Sequence, residues 1–96
     1  MMIVVSYDVN TITKEGRRRL RRVAKVCQDY GQRVQFSVFE CLVEPEQYLI
    51  MKDRLRQEYN PKEDSLRFYL LGKNWHKRIE HQGSKLPVDI DGLLMV

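Results

Sequence analysis

The sequence predicts an α+β domain in which two helices cover one face of an antiparallel sheet. Segments rich in β-branched and aromatic residues alternate along the chain with segments whose apolar residues recur at helical spacing. The chain has 96 residues, a length that suits one compact domain over 1–96. The segments between these patterns are short and polar, which favours direct connections between neighbouring elements.

The first two predicted elements are a buried strand and a basic helix. Residues 2–7 are rich in β-branched side chains, which favours a strand covered on both faces. A helix over 14–30 follows a short loop, with Thr13 as its N-cap and Gly31 as its C-terminal breaker. At helical spacing the apolar residues gather on one face of this helix and most of the basic residues on the opposite face. The predicted apolar face carries Leu20, Val23, Ala24, Cys27 and Tyr30.

The remainder of the chain predicts further strands and a second helix. Residues 33–43 alternate between apolar and polar, which indicates one bent strand or two short strands meeting near 37–39. Pro45 is placed to begin a second helix. Residues 65–72 predict a further strand, and 78–83 a short edge strand. The predicted buried face of the second helix carries Tyr48, Met51, Leu55 and Tyr59.

In this order the elements are typical of the ferredoxin-like βαββαβ sandwich, an antiparallel sheet with two helices on one face. The other face also needs a cover, because apolar side chains point to both sides of the predicted strands. A second copy of the chain would provide that cover, and we therefore expect a homodimer.

The tail over 86–96 supports the dimer, because it finishes on four apolar residues, whereas chain termini are usually polar. Such a tail can add an extra strand to the partner subunit's sheet, or it can pack against its own sheet. We expect the first arrangement.

Cysteine content and hydropathy predict a cytoplasmic protein. The two cysteines, Cys27 and Cys41, do not form the dense pattern of a disulfide scaffold, and we expect free thiols in the core. The N-terminus lacks the features of a signal peptide. No stretch approaches the roughly 18 apolar residues that a membrane span needs, so no membrane association is expected.

Basic residues are concentrated on the first predicted helix. The net charge is +4, and arginine is the side chain best suited to bidentate contact with phosphate. A basic stripe of this kind is typical of a nucleic-acid-binding protein. The alternative is a solvated helix face with no ligand. The candidate nucleic-acid-binding residues of this helix are Arg17, Arg18, Arg19, Arg21, Arg22 and Lys25.

Most strong catalytic and metal-binding motifs are missing from the sequence. It contains no phosphate-binding glycine loop, no paired Cys-x-x-Cys zinc spacing, no His-Glu-x-x-His and no serine nucleophile elbow. Cys41 falls within a strand pattern, which favours the core over a nucleophile. His76 and His81 lie in a basic context that favours the surface over a metal site.

Asp8 remains as the candidate for chemistry, because it ends the first strand and aspartate is disfavoured in strands. It is either a turn residue or a magnesium ligand. Magnesium binds one or two carboxylates together with water and phosphate oxygens. A twofold dimer would supply a second copy of Asp8 if the residue lies near the axis.

Three segments resemble the family of small CRISPR-associated (Cas) adaptation proteins: "VVSYDVN", "RRRLRRVAKVCQDYGQRVQFSVFEC" and "DSLRFYLLG". The resemblance covers essentially the whole chain, and "EHQG" with the Val-Asp-Ile-Asp tail is similar to the type I-C variant. It implies a metal-dependent endonuclease or endoribonuclease that partners the larger adaptation integrase. The tail would then also offer a surface for docking the integrase.

The resemblance also implies roles for individual residues. Asp8 of each subunit would lie at the dimer interface as the magnesium ligand and catalytic residue. Arg33 matches the arginine of the family's Arg-Val-Gln segment and joins the nucleic-acid-binding set, while Arg17 and Arg19 fall in its arginine-rich helix. The residues that match positions supporting the interface are Tyr7, Ser37 and Phe39.

Two functions follow from this resemblance. The first is magnesium-assisted hydrolysis of phosphodiester bonds in RNA or double-stranded DNA during spacer acquisition. The second is a structural adaptor, in which the dimer bridges two integrase dimers on prespacer DNA and Asp8 has no catalytic task. The two hypotheses differ only in the role of Asp8.

Overall fold

The structure, a computed structural model, describes residues 1–83. The strands are β1 (Met2–Asp8), β2 (Gln32–Gln35), β3 (Val38–Leu42) and β4 (Ser65–Gly72). The helices are α1 (Lys14–Tyr30) and α2 (Pro45–Glu58), and a short 3₁₀ helix spans Trp75–Arg78. The four strands form one antiparallel sheet in the order β2-β3-β1-β4. This arrangement confirms the ferredoxin-like prediction.

The core lies between one face of the sheet and both helices. Strand β1 runs through the middle of the sheet, and Val5 lies opposite Phe39 on β3 and Phe68 on β4. Alternate residues of β1 share one buried cluster with residues of both helices, such as Cys27 of α1 and Leu55 of α2. The two helices therefore cover the same face, since side chains of one parity on a strand point to one side.

The start of α1 is fixed by a cap and by a glycine. Thr13 accepts a hydrogen bond from the backbone N–H of Gly16 at 3.0 Å, as predicted for an N-cap. Gly16 is buried against the loop that follows β1, and a Cβ at this position would clash with the carbonyl oxygen of Asn10. The missing side chain lets the loop pack directly on the helix.

The alternating segment 33–43 is a hairpin of two strands, β2 and β3. A two-residue turn, Phe36 and Ser37, connects them, so the second of the two predicted alternatives is confirmed. The carbonyl oxygen of Ser37 accepts a hydrogen bond from the backbone N–H of Tyr7 at 3.1 Å. The turn therefore lies directly beside the end of β1.

The prediction of an edge strand over 78–83 was wrong. The 3₁₀ helix takes the chain up to Arg78, and the residues after it up to 83 form no strand. Ile79 is the only β-branched residue in this otherwise polar segment, so little favours an extended pairing. The predictions for the tail over 86–96 lie outside the described residues.

Both cysteines are free and buried, as predicted. Burial raises the pKa of Cys27 and of Cys41 to about 12. The thiolate forms are therefore scarce at neutral pH. The complete burial of both side chains confirms that these cysteines belong to the core. Among the described residues, no helix is both long enough and apolar enough to cross a membrane.

Candidate functional site

Asp8 is exposed at the end of the central strand. Tyr7 and the other residues of its parity on β1 point into the core, so Asp8 follows Val4 and Ser6 on the opposite side of the strand. Within residues 1–83, no hydrogen bond or ion pair engages the Asp8 carboxylate. The carboxylate oxygens are thus available to a ligand from solvent.

A pocket of about 520 Å³ opens at this end of β1. Three elements form its walls: the end of β1 with the loop after it, the first half of α1, and the turn between β2 and β3. Its lining residues are Tyr7, Asp8, Val9, Thr11, Arg17, Leu20, Arg21, Phe36 and Ser37. The fold therefore brings five of the predicted site residues together, although they come from three separate segments of the chain.

Arg17 and Arg21 contribute the positive charge of this pocket. They lie four residues apart on α1, and side chains at that spacing share one face of a helix. The guanidinium of Arg17 donates hydrogen bonds to the carbonyl oxygens of Thr11 and Ile12, at 3.1 and 3.2 Å. A carboxylate and two guanidinium groups around one cavity can bind a metal ion and a phosphate side by side.

Tyr7 and Phe39 support the pocket from the core. Their rings stack with centroids 6.2 Å apart, and Phe39 is fully buried. Burial raises the pKa of Tyr7, and a hydrogen bond with Arg33 opposes that rise. The guanidinium of Arg33 also lies 5.0 Å from the Phe39 ring centroid. Of these residues only Tyr7 lines the pocket, where its hydroxyl is protonated at neutral pH.

The other predicted basic residues of α1 do not line the pocket. Three of them form ion pairs: Arg19 with Asp64 at 2.8 Å, Arg22 with Glu58 at 3.2 Å, and Lys25 with Asp29 at 2.6 Å. Arg18 is exposed on the helix surface. The basic stripe is therefore divided into two pocket arginines and a set directed elsewhere, and nucleic-acid binding by the latter set stays a prediction.

Asp64 supports the site, although no local sequence pattern identifies it as a site residue. It is only 8% exposed, and it accepts hydrogen bonds from the backbone N–H groups of Asn10 and Asn60 at 3.0 and 2.9 Å. Arg19 completes the cluster through its Nε and Nη2 atoms. Burial alone would raise the pKa of Asp64, but the bonds from Arg19 and the two amides hold it below its usual value. Asp64 thereby joins the loop after Asp8 to α1 and to the turn before β4.

The residues present fit magnesium only with ligands from outside one chain. Residues 1–83 contain no group of three or more His, Cys, Asp or Glu side chains that could hold a metal ion. Asp8 offers one carboxylate, and the pocket adds the hydroxyl groups of Thr11 and Ser37. Magnesium accepts such a site when water, substrate phosphate or a second carboxylate completes its shell.

Known proteins are similar to this chain in both sequence and fold. The model of a family described as CRISPR associated protein Cas2 matches residues 1–79. The chain is 59% identical over 96 residues to the CRISPR-associated endoribonuclease Cas2 of Chlorobaculum tepidum, covering 100% of both chains. It is 45% identical over 95 residues to the CRISPR-associated endonuclease Cas2 of Halalkalibacterium halodurans, covering 99% of each.

Solved structures agree with these relatives. The crystal structure of Streptococcus pyogenes Cas2 superposes with a TM-score of 0.76 and 61% identity, covering 86% of this chain and all of that one. The crystal structure of a hypothetical protein from Thermus thermophilus gives a TM-score of 0.70 at 30% identity, covering 90% of this chain and 95% of that one. The resemblance to a family of nucleases is confirmed, and the chain belongs to the Cas2 family of CRISPR-associated proteins.

Proposed function

We propose that this protein is a magnesium-dependent endonuclease of CRISPR spacer acquisition, which hydrolyses phosphodiester bonds of RNA or double-stranded DNA. The observation that carries the proposal is the single pocket that Asp8 shares with Arg17 and Arg21. Asp8 stands at the end of a buried strand, so a rigid element holds its carboxylate. This favours precise placement of a ligand.

Each pocket residue has a distinct task in this proposal. Arg17 and Arg21 bind the phosphate next to the scissile bond through charge-assisted hydrogen bonds. Asp8 holds the magnesium ion, which supplies charge neutralisation and a water of lowered pKa when bound. Ser37 lines the same pocket, and its hydroxyl can orient the phosphate by donating a hydrogen bond.

A homodimer would complete the site. The helix-free face of the sheet carries apolar side chains, among them Val4 and Val38, with Leu42 47% and Tyr69 43% exposed. Packing two such faces around a twofold axis would cover this surface. Asp8 ends the β1 series on the same face, so a twofold axis that passes near it would bring two copies of its carboxylate close to each other.

The structural adaptor is the second candidate function. It draws support from the pocket lining, in which two arginines suited to phosphate accompany one carboxylate, Asp8. In this role the dimer bridges two integrase dimers, and the arginines bind prespacer DNA without cleavage. The fold, the dimer and the basic pocket serve both functions equally.

The test is the Asp8→Asn variant, compared with the wild type in cleavage of RNA and duplex DNA with magnesium, and in spacer acquisition. We expect cleavage to fall by at least about 100-fold, because several kcal/mol of transition-state stabilisation are lost. Asp53→Asn is the matched control, since Asp53 is an exposed carboxylate on α2 that does not line the pocket.

The two assays separate the candidate functions. Full cleavage by Asp8→Asn would show that Asp8 is not the metal ligand of the reaction. Loss of cleavage with normal spacer acquisition would favour the adaptor as the function in the cell.

A further inference from the structure

Phe36 is an aromatic residue that the fold does not use. It occupies the two-residue turn between β2 and β3, and its side chain is 79% exposed. Tight turns favour small and polar residues, and an exposed phenylalanine forgoes the stabilisation that burial gives. The hairpin meets the core through Phe39 instead, which is fully buried. The placement of Phe36 is therefore better explained by a ligand than by folding.

The Phe36 ring lies at the wall of the Asp8 pocket. It lines the same cavity as Arg17 and Arg21. The guanidinium of Arg33 is 5.9 Å from its ring centroid, so the ring stands in a positively charged environment. Aromatic rings and guanidinium planes are the two protein surfaces on which unpaired bases stack. The pocket thus combines phosphate-binding groups with a flat apolar surface.

These two kinds of group match the two ends of a nucleotide. A volume of about 520 Å³ falls within the range of roughly 300–1,000 Å³ that is typical of small-molecule sites. Arginine side chains suit the phosphate, and an exposed phenyl ring suits the base, whose π-face is available whatever its identity. One cavity can therefore hold both parts of the same nucleotide.

We propose that Phe36 is a stacking platform for an unpaired base of the nucleotide whose phosphate occupies the Asp8 pocket. This inference deepens the proposed function, on which it rests for the identity of the phosphate. A base inside a duplex is stacked on both sides by its neighbours, so it must leave the helix before it can reach a protein ring. The protein should then bind single-stranded segments more tightly than blunt duplex.

A second copy of the chain is the competing occupant of this surface. The charges argue against a copy seated directly on Phe36, because Arg17 and Arg21 of both copies would then face each other, and like charges at an interface are unfavourable. The homodimer proposed above packs the helix-free face of the sheet instead, on the side away from α1. Nucleic acid has the opposite charge. A negatively charged strand with exposed bases satisfies both the ring and the arginines around it.

The test measures binding without cleavage. A fluorescently labelled ten-nucleotide single strand and a blunt duplex are titrated with protein in the presence of a chelator, and affinity is read from anisotropy. Phe36→Ala and Phe36→Leu should both weaken single-strand binding by about 5- to 100-fold, the usual effect of removing one stacking ring. Phe36→Trp should retain single-strand binding. None of the three variants should weaken duplex binding by a factor as large as the one that Phe36→Ala and Phe36→Leu cause for the single strand.

Ile12→Ala is the matched control, since Ile12 is 85% exposed in the neighbouring loop and does not line the pocket. It should bind the single strand as the wild type does. The leucine variant keeps an apolar side chain at position 36, so a loss shared by leucine and alanine identifies the aromatic face as the cause.

Three results would overturn the platform: equal single-strand affinity of Phe36→Ala and wild type, no single-strand binding by the wild type, or a Phe36→Ala variant whose only change is its oligomeric state in sedimentation. None of these results depends on magnesium, so the nuclease proposal would survive them. Conversely, ring-dependent binding by a protein that cleaves nothing would support the platform and contradict the nuclease.

Discussion

Asp8 and Asp64 both lie beside the loop that joins β1 to α1, Asp8 directly before it and Asp64 bonded to its Asn10, but the two carboxylates have different surroundings. Asp64 is buried and accepts four hydrogen bonds, two from backbone amides and two from Arg19. Asp8 is exposed beside Arg17 and Arg21, and within residues 1–83 none of these contacts reaches its carboxylate. The same residue type thus stabilises the fold at Asp64 and remains available to a ligand at Asp8.

The difference teaches that proximity to arginine is not enough to mark a functional carboxylate. A buried aspartate whose oxygens are fully engaged has no capacity left for a metal ion or substrate, but it fixes whatever it holds. Here Asp64 holds Asn10, two residues after Asp8. We infer that Asp64, whose oxygens are fully engaged, sets the position of Asp8, whose oxygens are available to a ligand.

The largest expected effect separates the two aspartates by stability. Asp64→Asn removes a buried charge and leaves Arg19 with only its longer contact to Glu63, at 4.0 Å, which should lower the free energy of unfolding by about 3 kcal/mol. Asp8→Asn changes an exposed and unengaged group, so the change should stay within about 0.5 kcal/mol. Urea unfolding followed by circular dichroism measures both. Equal losses of unfolding free energy in the two variants would contradict a structural role for Asp64 that Asp8 lacks.

The next effect concerns the arginines. Arg17 and Arg21 line the pocket, whereas Arg22 pairs with Glu58, so the double variant Arg17→Ala/Arg21→Ala should weaken single-strand binding more than Arg22→Ala does. Its plot of log affinity against log salt should also be shallower, by about 0.7 for each lost phosphate contact. Titrations between 50 mM and 200 mM salt measure the slope. A salt slope that Arg22→Ala changes as much as the double variant would assign the phosphate to the whole helix surface.

The smallest effect is the pH dependence that Asp64 adds to the stability of the protein. Its pKa is lowered in the folded protein, so its contribution to stability is complete above the pKa of an unfolded aspartate, about 3.9. That contribution is lost as the pH falls through the lower, folded-state value. The wild type should therefore lose unfolding free energy between about pH 5 and pH 2 more steeply than Asp64→Asn. Parallel curves for the two proteins would exclude Asp64 as the titrating group.

Much of the fold was predictable because local patterns determine it. The bounds predicted for α1 and β4 coincide with the observed ones, since Thr13, Gly31 and a clear change of periodicity mark them. The sequence does not decide between one strand and two over 33–43, because the alternation of side chains continues through the turn at Phe36 and Ser37. The antiparallel pairing of β3 with both β2 and β1 decides where the strand breaks.

The site was only partly predictable, because its contacts join residues far apart in the sequence. Asp8 was found from its position at a strand end and from the family resemblance. The separation of Arg17 and Arg21 from Arg19 could not be found in the same way, since it depends on Asp64, which lies 45 residues beyond Arg19. Asp64 itself stands in a polar turn sequence whose local pattern explains its bond to Asn60 but not those to Asn10 and Arg19.

Gly16 packs against the loop that links the two aspartates, and this packing requires that the residue has no Cβ. Any side chain there would push away the carbonyl of Asn10, whose own amide is bonded to Asp64 and whose loop continues directly from Asp8. A single added carbon would thus loosen the saturated carboxylate and displace the open one together. A strict limit on sequence variation beside this pocket therefore falls on a residue with no functional group, and steric exclusion, not charge, sets it.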